Sequence, residues 1–280
     1  MAAPRRRPQS RTVLLDRAIE PFPLFRLSDS AEDAAVACTT PDGGRWRVLP
    51  APGERLPGTF DQDVFVELMR RFHEAGSPAD GTLSFTLHAF LRAMGRRVDG
   101  RTYEQLRSAL ARLERTVIES EGAWFDAAAG THPSARFTLL SAVAIDRRRE
   151  TDRDQLALFP ALASNEPGDA RVTLAHQLRD NIAAGYVSTL NAQKYAALSS
   201  PVARRLYRLL EAERAAGNIG ADGWRPTLDA LAERVPLTQR FPSHLQRVLQ
   251  PAHEMLLAAG LVRAARFVQD GRSWHVEYRL

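Results

Sequence analysis

Arg101, Gln105, Ser108, Arg112 and Arg115 follow one another at steps of four, three, four and three, so any helix that holds them presents them on one face. Arginine reaches the edge of guanine, and glutamine the edge of adenine, through paired hydrogen bonds. The five-residue stripe contains no acid, in a chain otherwise rich in glutamate. A solvated helix face has the same spacing, so the choice between the two readings rests on the elements around it. Arg240, His244 and Arg247 share a second face by spacings of four and three. That holds only if their helix begins early enough, because Pro236 and Pro242 flank its start and leave Arg240 open to a loop position touching phosphate alone.

The residue types that carry hydrolysis, nicking or nucleotide turnover are not arranged for it. The seven histidines (73, 88, 132, 176, 244, 253 and 275) are scattered, with no closely spaced pair to hold a metal beside a tyrosine and no His-Glu-x-x-His run. Lys194 lacks the glycines of a phosphate-cradling loop, and Asp61 with Asp63 reads as a helix start. Tyr207 reads as a core residue. No catalytic residue, metal or cofactor is expected, and the chain is not expected to be an enzyme.

A net charge of +5 and a pI near 9.9 favour a polyanionic partner, since arginines displace the counterions condensed on phosphates. Lys194 is the only lysine among 38 basic residues, a bias that base composition of the gene could produce; the location of arginines therefore counts for more than their number. The single cysteine, Cys38, excludes an intramolecular disulfide. No apolar run approaches the roughly 20 residues a bilayer requires, and the opening MAAPRRRPQSR leads into no apolar stretch, so a cytoplasmic protein without membrane contact is expected.

The elements that would position these residues fall into two similar sets. Residues 1–57 read as a basic, partly flexible segment with a small strand pair around Trp46–Leu49. A helix then opens at Asp61, with Val64, Phe65, Leu68, Met69 and Phe72 at helical spacing and Gly76 as its stop. A short extended piece carries Leu83 and Phe85, and a second helix holds Leu87, Phe90, Leu91 and Met94. The third helix, 100–115, buries Tyr103, Leu106, Leu110 and Leu113 opposite the polar stripe. Val117–Phe125 and Arg136–Ile145 read as a hairpin ending in Arg147, Arg148 and Arg149.

After a linker with one short strand at Leu156–Phe159, a helix ends at Ala184 and Leu190–Leu198 forms a helical turn. The run SSPVARRLYRLLEAERAAG follows, with Ser200 as N-cap, Pro201 at the first helical position and Gly217 as stop. Leu228–Val235 makes a short helix, and Pro242–Ala259 reads as two abutting helices divided at Pro251. A hairpin turning at Gln269, Asp270 and Gly271 closes the chain.

Three helices and a hairpin, twice, describe an α+β, mainly helical fold with two winged-helix domains (helix-turn-helix plus β-hairpin) in tandem. The expected limits are 58–150 and 171–280, joined by a linker at 151–170. In such a fold the third helix enters the major groove and the hairpin touches the flanking backbone.

The stretches WRVLPAPGERLPGTFDQDVFVELMRRFHEAG (46–76), YVSTLNAQKYAALSSPVARRLYRLLEAERAAG (186–217) and LQRVLQPAHEMLLAAGLV (245–262) resemble the plasmid replication initiator protein A family. The resemblance covers about residues 45–280. It implies a protein that binds repeated origin sites in double-stranded DNA, recruits host replication proteins and represses its own promoter, and it leaves a homodimer open. It places a second recognition element at Gln239, Arg240, Ser243, His244 and Arg247, with hairpin contacts from Arg263, Arg266 and Arg272. A transcriptional regulator with the same tandem fold is the alternative, because fold alone does not decide function.

Overall fold

The computed structural model describes residues 11–27, 35–145, 170–239 and 241–280. The expected strand at 156–159, most of the linker and the tail arginines Arg5, Arg6 and Arg7 lie outside them. Among the described residues the fold is mixed, with eight helices and eleven strands in four antiparallel sheets.

Helix α1 (Thr59–Glu74) begins at Gly58, whose N–H donates to Asp61 Oδ2 at 2.6 Å. Asp61 thus caps from inside the first turn and does not precede it. Strand β4 (Thr82–Phe85), helix α2 (Leu87–Ala93) and helix α3 (Gly100–Arg115) follow. The Asp99 side chain accepts from Thr102 N at 2.9 Å, which sets the start of α3.

The hairpin expected after α3 forms over part of its length, with Arg136 and Phe137 opposite Glu119 and Ile118, but the rest of its second strand, Leu140–Ile145, belongs to a different sheet. Strand β5 (Val117–Glu121) pairs with β6 (Ser134–Phe137) and with β3 (Arg45–Leu49), which pairs in turn with β2 (Val36–Thr39). Strand β7 (Leu140–Ile145) pairs with β8 (Ala170–Leu174), and β8 lies between β7 and β4. A hairpin inserted between α3 and β7 therefore stands where the sequence suggests a wing. Its reach is decided by β2 and β3, which supply an edge for β5 that local pattern does not reveal. Strand β8, at the expected junction of linker and second unit, completes the sheet of the first.

Helix α4 (His176–Ala183), strand β9 (Val187–Asn191) and helix α5 (Ala192–Ala197) lead into α6 (Pro201–Ala215). Ser200 Oγ accepts from Ala203 N, and Pro201 takes the first turn. An extended piece, Trp224 to Thr227, precedes α7 (Leu228–Arg234), then α8 (Pro242–Ala258) and the hairpin β10 (Ala264–Asp270) with β11 (Ser273–Arg279). Trp224 and Tyr278 exchange two backbone hydrogen bonds of 2.9 Å, so the extended piece adds an edge to β11. Gly223 makes this approach feasible. Its φ is +95° and a Cβ there would stand 2.1 Å from Tyr278 O.

One helix, not two, spans Pro251. The proline removes the N–H that the Arg247 carbonyl would accept from, and both residues are exposed, so water can reach that carbonyl.

The two sets of elements are joined through buried polar contacts. Strand β1 (Thr12–Asp16) pairs with β9, Thr12 opposite Asn191, and packs on α1. Glu20 and Arg208 are both fully buried and bonded at 2.6 and 2.9 Å, and Arg208 also faces Gln62 on α1. Arg205 donates to the carbonyls of Glu20, Phe22 and Arg234, and burial with the neighbouring Arg208 lowers its pKa to about 9. Phe22 stacks on the buried Trp46 at 4.7 Å, and Trp46 Nε1 donates to Pro23 O. A cleft of about 460 Å³ beside this junction is lined by Asp63, Glu67, Arg70, Arg96 and Arg204. Asp63 there accepts from Arg96, Arg204 and Tyr195, and Glu67 from Arg70 and Arg71, so its carboxylates are satisfied from within.

Candidate nucleic-acid interface

Helix α3 buries Leu106, Ala109, Leu110 and Leu113 completely, and this turns Arg101 and Gln105 outward to solvent with Ser108 half-buried beside them. The lower half of the stripe has other partners. Arg112 donates from Nε and Nη2 to the two carboxylate oxygens of the buried Asp61, at 3.0 and 2.8 Å. Arg115 pairs with Glu54. Nor is the surface free of acid, because the exposed Glu104 stands one position round the helix and pairs with Arg107 at 3.6 Å. The stripe residues without a carboxylate partner lie in the N-terminal half of α3, while Arg115 is exposed but paired.

Helix α8 repeats the arrangement. Leu245, Leu249, Ala252, His253 and Leu256 are buried, while Ser243, His244 and Arg247 are exposed and Gln239 is half-buried in the preceding turn. Arg240 lies outside the described residues. Phe241, which the sequence reading passed over, is 66% exposed at the N-cap. His253 Nε2 and the Tyr278 hydroxyl meet at 2.7 Å in the core, tying α8 to β11, and burial lowers the pKa of the imidazole to about 4.

Arg263, Arg266 and Arg272 are exposed on the terminal hairpin and its approach. Among the described residues, no carboxylate pairs with these three, with Arg101 or with Arg247. In the first unit Arg147, Arg148 and Arg149 fall in the 146–169 connection between β7 and β8, outside the described residues. Arg171, exposed on β8 opposite Ala144, is a basic residue that the sequence reading missed. Its signal was the alternation along Ala170–Leu174, in which Arg171 and Thr173 point away from the buried Ala170, Val172 and Leu174. Tyr207 is buried, with its hydroxyl accepting from Asn191 N. No helix of the described residues is long and apolar enough to cross a membrane.

The architecture has solved counterparts. A crystal structure of domain 2 and domain 3 of RctB, from selenomethionine derivatives, superposes with a TM-score of 0.55 at 10% identity, covering 94% of this chain and 97% of that one. A second crystal structure, of RctB domains 2-3, gives 0.50 at 9% identity over the same shares. At such identities the likeness concerns fold alone. No curated protein matches the sequence. The family model described as replication initiator protein A matches residues 16–255. The chain belongs to that replication initiator family.

Proposed function

We propose that this initiator binds repeated duplex sites at a replication origin through two winged-helix units, with α3 and α8 as recognition helices and the β7–β8 and β10–β11 ends as wings. One observation carries the reading. The order helix, edge strand, helix, helix, strand pair occurs twice, the first time interrupted by β5 and β6, each time with the last strand between the other two, and each time the third helix turns basic and polar side chains outward. Arg101, Gln105 and Ser108 on α3, with Ser243, His244 and Arg247 on α8, read bases. Arg263, Arg266 and Arg272 hold phosphates, and Arg147, Arg148 and Arg149 do so beyond β7. Arg112 and Arg115 stiffen α3 against its own unit. The chain acts by binding rather than by cutting DNA or turning over nucleotide, recruits host replication proteins and represses its own promoter.

The test is binding to a selected duplex across a salt series. Contacts from two helices and two wings imply a log-log slope of roughly −4 or steeper, and a slope near −1 would overturn the two-unit clamp. Gln105→Ala and Arg247→Ala should each cost about 1 to 3 kcal/mol on the selected duplex and little on scrambled DNA. Two folded variants that lose nothing would reduce both faces to solvated surface.

A further inference from the structure

Of the large apolar side chains among the described residues, only Phe241 and Leu257 are exposed, at 66% and 38%. A phenyl ring that finds no core gives up the burial it would otherwise contribute, and here it sits at the N-cap of a helix with a polar outer face. It is not loosely held. The Phe241 carbonyl accepts from His244 N and Leu245 N, each at 3.0 Å, so its backbone is fixed to the first turn of α8. The ring meets the His244 imidazole edge-on at 5.7 Å, which sets it on the side of the helix that carries Ser243, His244 and Arg247.

We infer that Phe241 is a specificity residue that reads the 5-methyl group of a thymine in the major groove. The inference rests on α8 being a recognition helix, as proposed above. Residues at the N-terminal end of such a helix contact base edges, and the thymine methyl is the apolar feature that the groove offers to a side chain without hydrogen-bonding atoms. The neighbours divide the remaining work. Arg247 lies a turn and a half further along the helix, where it takes an acceptor-bearing base, while Phe241 takes the apolar one.

The full-length chain and Phe241→Ala would each select duplexes from a randomised library. Each thymine of the wild-type consensus would then be replaced singly by deoxyuridine, which removes only the methyl group. Loss of one buried methyl predicts about three- to fivefold weaker wild-type binding at a single position. Phe241→Ala should lose a comparable factor on the thymine duplex and be indifferent to deoxyuridine there. Phe241→Leu, still apolar, should keep part of the discrimination. Equal discrimination by wild type and Phe241→Ala at every thymine, or a consensus without thymine, overturns the assignment. If the wild-type chain enriches no sequence at all, the recognition-helix reading itself fails, a result distinct from enrichment that ignores Phe241.

Discussion

Glu20→Gln tests whether the two halves are held by a buried charge or merely by apolar packing. Glu20 and Arg208 are both inaccessible to solvent, bonded at 2.6 and 2.9 Å, and Arg205 stands 4.0 Å from the same carboxylate. Charge centres roughly 4 Å apart at an effective dielectric near 20 interact by about 4 kcal/mol. Neutralising Glu20 leaves Arg208 without its bonded counter-charge and Arg205 without its nearest one, so a loss of about 3 to 5 kcal/mol is expected. Arg208→Met should cost less, because Arg205 still faces Glu20. The double variant should lose at least about 2 kcal/mol less than the sum, since neither charge is then stranded. Urea unfolding followed by circular dichroism and by tryptophan fluorescence measures all three. A Glu20→Gln loss below about 1 kcal/mol, or additivity within about 0.5 kcal/mol, would refute the reasoning.

Two further outcomes follow from single contacts. Burial holds His253 neutral, with its pKa lowered from 6.5 to about 4, so the unfolded chain takes up a proton first as pH falls. The associated stability, about 3 kcal/mol, is present above pH 6.5 and lost as pH falls toward about 4. His253→Phe should flatten that part of a urea-midpoint profile, and an unchanged slope would sink the assignment. Arg112→Ala should destabilise by about 1 to 3 kcal/mol through the loss of Asp61 while leaving base preference intact. An unaltered melting temperature with preference relaxed at one base would instead return Arg112 to the DNA face.

What the sequence made legible was local. The spacing in 100–115 and the Ser200–Pro201 start fix helices from within their own turns, and the Gln269–Asp270–Gly271 turn closes β10 on β11 across two residues. What stayed hidden depends on partners far away in the chain. Strand β1 lies in a stretch that reads as a basic tail, because its pairing partner is 175 residues on. Leu190 reads as helical and is a strand residue for the same reason. Nothing local marks Arg204, Arg205 and Arg208 as inward-facing, yet Asp63 and Glu20 draw those cations in. On α3 the spacing identified the outward face, but not Asp61, which claims Arg112.

The pairing of β1 with β9 also bears on how the chain is made. Of the described elements β1 leaves the ribosome first, and Val187–Asn191 follows only after more than 170 further residues. At about 5 to 20 residues per second, the nascent strand waits roughly 10 to 35 seconds for its partner. Throughout that interval its ladder groups lack their β9 partner, although α1, which packs on β1, is made well before β9. The two-stranded sheet of β1 and β9 therefore closes late in synthesis, so residues 12–16 carry an unpaired strand edge for most of the time the chain is being made.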